Sequence, residues 1–144
     1  MLHYTSELSP EYSETLERLM FFNPGQHKAL ATILDSLEKF GSPSIYVDDG
    51  RLRVRVEKLP EVQALFALDG DVLVGALVYS RILLERLTVI HIAVDHDYSS
   101  SGEFAEHMLV MRMLGLLRSN ARRIKGVETI RLMCSGNQIR DFSV

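Results

Sequence analysis

Apolar residues recur along this chain in two rhythms, one near the 3.6-residue period of a helix and one with the two-residue alternation of a half-buried strand. Leu2, Tyr4 and Leu8 point to a short opening strand. Ser9-Pro10-Glu11 then supplies a cap residue, a proline at the first helical position and an acid in the first turn, which predicts a helix from Pro10 to about Met20. Asn23-Pro24 repeats the start signal. Ala29, Leu30, Ile33, Leu34, Leu37 and Phe40 share one helical face until Gly41 closes it, predicting a second helix.

The rhythm then changes. Ile45 and Val47, the turn pair Asp49-Gly50, and Leu52, Val54 and Val56 predict a hairpin whose returning strand alternates apolar residues with Arg51, Arg53 and Arg55. A second, almost wholly apolar hairpin is predicted over Ala64 to Leu68, Asp69-Gly70 and Val72 to Tyr79. Gly75 marks a bulge or a close backbone approach in its returning strand. Leu87 to Val94 has the β-branched composition of a strand covered on both faces. A long helix is expected from Glu103 to about Ile124, stopped by Lys125-Gly126, followed by a strand over Thr129 to Cys134 and a short polar tail. A strand, a crossover helix and another strand at this spacing place the two strands parallel, so the sheet is expected to be mixed.

Composition narrows the class without choosing a function. The 144 residues suit one domain with one core, and a hydrophobic fraction of 47% with 24% charged residues suits a soluble globular chain. A formal charge of -3 gives no general pull toward nucleic acid or anionic membrane. Cys134 is the only cysteine, which rules out an intrachain disulfide and fits a reducing, cytoplasmic setting. The opening residues lack a basic region followed by an apolar run, and no apolar stretch approaches membrane-spanning length, so neither export nor insertion is expected.

In its later half the chain resembles the GNAT superfamily of acyl-CoA N-acyltransferases, over roughly Val62 to Asn137. Leu68-Asp69-Gly70-Asp71-Val72-Leu73-Val74-Gly75 resembles that family's second and third strands. Ile92-Ala93-Val94-Asp95-His96-Asp97-Tyr98 resembles the end of its fourth strand and the turn beyond, and Glu103 onward its cofactor-binding helix. The resemblance implies an α+β single-domain fold over residues 1–144, with a mixed sheet flanked by helices and the family's C-terminal strands missing or replaced. It also implies acetyl-CoA or another acyl-CoA as cofactor and an amine, small-molecule or peptide, as acceptor. Backbone N–H groups near Ile92 and Val94 would orient the thioester, and Ser99, Ser100, Ser101, Gly102 and Ala105 would border the pyrophosphate at the helix start.

The family signature is Gln or Arg, two variable residues, Gly, one variable residue, then Gly or Ala. Placed without gaps after Val94, its fixed positions fall on Ser99, Gly102 and Phe104, so only the glycine is kept; a shift of one residue restores Ala105 but sets Glu103 in the glycine position. Ser100 with Glu103 also reads as a capping box, whose carboxylate does for the helix what a bound phosphate would do.

His91 on the predicted central strand is a candidate proton carrier or a hydrogen-bonded strand histidine. Tyr98 is a candidate acid or a packed aromatic lid. His91, His96 and His107 with Asp95 and Asp97 follow no metal-binding spacing, and no metal is expected. The arginines of the first hairpin either face solvent or receive an anionic partner, and no nucleic-acid pattern of interleaved aromatics accompanies the basic residues. Ser135-Gly136-Asn137 resembles the start of the family's fourth helix, but Phe142-Ser143 supplies no tyrosine for the leaving thiolate. The first hairpin or a second subunit is expected to fill the gap left by the missing strands. Two functions follow from the resemblance: an N-acyltransferase of divergent type, or a GNAT-shaped binding or regulatory module without catalysis, with a second copy in a homodimer among the expected partners.

Overall fold

The computed structural model describes residues 1–21, 37–98, 102–104, 108–134 and 138–144, with side chains 133, 134 and 138 left aside. Strand β1 (Leu2–Thr5) leads into a 3-10 turn at Pro10–Tyr12 and helix α1 (Ser13–Phe21). Proline preorganises that first turn, as the sequence implies, and Leu16, Leu19 and Met20 form the buried stripe of α1. The second predicted helix lies mostly outside the described residues. Its end is visible: residues 37–40 are helical, and Gly41, at φ 85°, donates its N–H to the Leu37 carbonyl at 2.9 Å.

Both predicted hairpins form. Strands β2 (Pro43–Asp48) and β3 (Arg51–Val56) are joined through Asp49 and Gly50 at φ 51° and 71°, the positive pair a two-residue hairpin turn needs. Strands β4 (Gln63–Asp69) and β5 (Val72–Leu83) follow, then β6 (Arg86–Val94), helix α2 (Leu109–Ala121), β7 (Thr129–Cys134) and β8 (Gln138–Ser143). The main sheet has the order β1-β4-β5-β6-β7-β8, and only its β6–β7 pair is parallel, so it is mixed and the fold is α+β.

Each face of this sheet carries its own core. On one, Leu16, Met20, Leu52, Val56, Phe66 and Val78 pack together, bringing α1 and the β2–β3 hairpin onto the strands. On the other, Leu77, Leu87, Leu109, Met113, Leu117 and Ile130 seat α2. Burying one such leucine fully contributes roughly 1.5–3 kcal/mol. Gly75 lets α2 come this close. A Cβ there would lie 2.9 Å from the Met113 sulfur, and the ladder shifts register beside it between Ala67 and Leu68.

Three expectations need correction. The long helix begins at Leu109, six residues beyond Glu103, because Gly102–Phe104 turn back onto the end of β6 and Met108 takes a left-handed conformation, φ 48° and ψ 49°, that no helix continues through. The polar tail is a strand: Asp141 in β8 receives a two-pronged hydrogen bond from Arg131 in β7 at 2.8 and 3.0 Å. An edge strand exposed on one face needs few apolar residues, which is why its pattern reads as tail. The β2–β3 hairpin does not fill the C-terminal side of the sheet. It packs instead beside Leu8, whose carbonyl accepts the Leu52 N–H at 2.9 Å.

Candidate functional site

Beyond Val94 the chain folds onto itself. Asp95 donates its N–H to the Val74 carbonyl at 2.8 Å and accepts from Asp97 N–H through its own carboxylate at 3.0 Å, closing a side-chain turn. His96–Tyr98 forms one 3-10 turn. Phe104 donates its N–H to the Asp97 carbonyl at 2.6 Å and lays its ring on Tyr98, centroids 5.0 Å apart. Gly102 is pressed against this turn: a Cβ there would stand 2.2 Å from the His96 carbonyl oxygen and 2.4 Å from that of Asp97. The bare side of the glycine therefore faces carbonyl oxygens, which repel phosphate rather than hold it.

Tyr98 ties this turn to the β4–β5 hairpin. It is 6% exposed and donates its hydroxyl to the Asp69 carboxylate. Burial first, then that hydrogen bond and the charges of Asp69, Asp95 and Asp97, push the phenol up to about 12. Three carboxylates thus stand around the Tyr98 hydroxyl. Because the folded pKa is raised, the stability it contributes is whole below about pH 10 and fades as pH climbs through about 12. Tyr98→Phe is expected to lower stability by about 1–2 kcal/mol, toward the lower end because Asp69 keeps access to water. It should also flatten the alkaline fall in melting temperature; parallel falls for the two proteins would contradict this assignment.

Farther back along β6 its pairing with β7 stops. The parallel register of β6 with β7 ends at Val89 opposite Leu132, while β6 runs on to Val94 and β7 to Cys134. A register shift on the β5 side, where Val78 pairs with His91 and Tyr79 with Val89, sets Ile90 out of step at the point of parting. Beyond Val89 and Leu132 the ladder does not continue among the described residues, and Ile92 and Val94 lie on the part of β6 past it.

His91 lies two residues past the end of the β6–β7 ladder, on the α1 side of the sheet with its cross-strand neighbour Val78. Burial lowers its pKa from the ordinary histidine range, partly opposed by a hydrogen bond to the Met20 backbone. Nε2 is buried without a hydrogen-bond partner among the described residues.

His91, Ile92 and Val94 thus lie on β6 past its ladder with β7, and Tyr98 and Gly102 lie in the closed turn. Ser99, Ser100, Ser101 and Ala105 lie outside the described residues, as do His107 and Ser135-Gly136-Asn137. No group of potential metal ligands occurs among the described residues, and no described helix is long and apolar enough to cross a membrane. Sequence reasoning missed Asp69, which reads as a turn residue, and the Met20 carbonyl, for which a sequence carries no signal.

No family model matches the chain, and no characterised protein matches it in sequence. Among solved structures it is similar to a GNAT-family acetyltransferase from Desulfovibrio desulfuricans, with 16% identity and a TM-score of 0.52, over 94% of this chain and 75% of that one. Looser likenesses join it to the ribosomal-protein-S18-alanine N-acetyltransferase of Escherichia coli, at 15% identity and TM-score 0.45 over 92% of this chain and 66% of that one. A streptothricin acetyltransferase of Bacillus anthracis in complex with acetyl coenzyme A gives 13% identity and TM-score 0.41 over 96% and 77%. At those two scores no residue is placed by the likeness.

Proposed function

We propose that this chain, which has the fold of the GNAT superfamily, is an acyl-CoA-dependent N-acyltransferase of divergent type that works at the parting of β6 and β7. The observation that supports the reading is the end of the β6–β7 ladder at Val89 and Leu132, with His91 two residues past it. In this reading the acyl-pantetheine arm, a narrow, largely apolar chain with amides, lies along β6 where a parting of the two strands would admit it. The turn beyond does not fit a pyrophosphate, since there Gly102 meets carbonyl oxygens and carboxylates gather. Acyl-CoA supplies an acyl group activated as a thioester. The β6 backbone near Ile92 orients its carbonyl, His91 takes the proton that the amine acceptor sheds on attack, and the CoA sulfur leaves as a thiolate that this proton neutralises to free thiol.

The test is release of free thiol from acetyl-CoA in the presence of a panel of small amines and peptide N-termini. Amine-dependent release supports the reading, and release no faster than without protein across the panel counts against it. A second reading, of a GNAT-shaped binding or regulatory module without catalysis, is favoured by the acidic, closed turn. It expects acyl-CoA to be ignored altogether. In either case the sheet ends among the described residues at β8, and a homodimer across that edge forms part of the proposal; a monomeric mass in sedimentation equilibrium would remove it.

A further inference from the structure

Strands β5 and β6 outrun their neighbours at one end of the main sheet. β4 begins at Gln63 opposite Tyr79 and β7 begins at Thr129 opposite Arg86, so residues 81–85 form a tip with no described strand beside it. The tip is apolar where a solvated turn is usually polar: Ile82, Leu83 and Leu84 are all exposed, Leu84 at 77%. It is also held in place. Arg81 donates from Nε to the Leu84 carbonyl at 2.7 Å and from a terminal nitrogen to the Lys125 carbonyl at 2.8 Å, and the Glu85 carbonyl accepts the Glu128 N–H at 2.8 Å. These bonds seat the apolar tip against the C-terminal end of α2.

The outward face of α2 is cationic. Arg112, Arg118 and Arg122 are exposed along it, exposed Arg123 and Lys125 follow, and no carboxylate occurs from Leu109 to Val127. A Cβ on Gly115, midway along this face, would meet nothing within 4 Å, so the face stands open. At the helix start Met108 and Met111 are 60% and 61% exposed. Half of the large apolar side chains exposed among the described residues therefore lie at the two ends of one cationic face. The chain's formal charge of -3 conceals this concentration, and Glu85 and Glu128, exposed beside the tip, offset only part of it.

Exposed apolar side chains flanking cations match a surface that is anionic outside and hydrocarbon beneath. A convex helix face with a protruding tip offers an acidic peptide no groove, and nucleic acid stacks on aromatic rings, which residues 81–85 and 108–125 lack. We propose that the outer face of α2 and the β5–β6 tip rest on an anionic lipid surface, with Leu83, Leu84, Met108 and Met111 entering the headgroup boundary and the cations meeting lipid phosphates and carboxylates. The surface does not depend on acyl transfer.

Cosedimentation of the full chain with vesicles of phosphatidylcholine alone and of equimolar phosphatidylcholine and phosphatidylserine tests it. Saturable binding to the mixed vesicles is expected, tighter by about tenfold or more than to phosphatidylcholine. Leu83→Ser with Leu84→Ser, or Arg118→Gln with Arg123→Gln, should each weaken it by about tenfold. Val47→Ser, which removes an exposed apolar side chain on β2, should leave it unchanged. The chain has no tryptophan, so Leu84→Trp supplies a single reporter whose emission should shift to the blue on the mixed vesicles. No binding at millimolar lipid overturns the proposal, as do equal binding to phosphatidylcholine alone and a Leu84→Trp emission that does not move. So does binding that either double variant leaves intact in a protein that melts like wild type, or binding of polyglutamate as tight as that of the mixed vesicles, which would assign the face to an acidic protein.

Discussion

His91→Ala is expected to lower kcat for acyl transfer by roughly 10²–10⁴-fold, the contribution of a positioned proton acceptor. His91 is the only residue assigned to proton transfer, and burial, partly opposed by a hydrogen bond to the Met20 backbone, sets its basicity. His91→Asn separates chemistry from architecture, since its side-chain amide is able to keep a donor toward Met20. Both variants should lose turnover, while the alanine variant alone should lose the stability of that hydrogen bond. The acid dependence follows from burial. The folded pKa lies below the ordinary 6.5, so the base is neutral at pH 7, and activity should fall only as pH drops through a value under 6.5. Stability follows the same sign: the contribution of the neutral, buried imidazole is whole above pH 6.5 and is lost as pH falls through the lowered pKa. A His91→Ala enzyme within a few-fold of wild type would remove the histidine from the mechanism.

Gly102→Ala should have the largest effect on stability of any single-atom addition at the junction. The new Cβ would meet backbone, 2.2 and 2.4 Å from two carbonyl oxygens, and backbone yields less readily than the end of a flexible side chain. A loss of about 2–3 kcal/mol is expected, the upper part of the range for overpacking, seen as a fall of several degrees in melting temperature. A glycine kept to admit a phosphate would behave otherwise: alanine there would weaken acyl-CoA binding and leave melting unchanged. Gly75→Ala provides the contrast, because its Cβ would meet the Met113 sulfur, which has rotamers to spare.

Much of the fold was legible because it follows local rules. Asp49-Gly50 and Asp69-Gly70 announced their hairpins, Gly41 its helix end, and the Leu87–Val94 run the central strand. What escaped was decided at a distance. The start of α2 moved to Leu109 because Phe104 stacks on Tyr98 and bonds to Asp97, contacts that no capping rule contains. β8 escaped because an edge strand held by an Arg131–Asp141 pair carries little hydrophobic alternation. At the site, the single glycine of the signature was found but its surroundings were not, since only the folded chain shows carbonyl oxygens against it. The apolar run from Leu87 to Val94 placed His91 on its strand, whereas its hydrogen bond to the Met20 backbone depends on a helix from the other half of the chain.

The central claim is that acyl-pantetheine enters between the parted ends of β6 and β7, and an amide-resolved NMR titration of the ¹⁵N-labelled full chain with acetyl-CoA tests it most directly. Saturable shifts concentrated on Ile90 to Val94 and Leu132, with little movement at Asp97, Tyr98, Gly102 and Phe104, are the predicted result. Shifts confined to the turn beyond Val94, or none at millimolar acetyl-CoA, would contradict it.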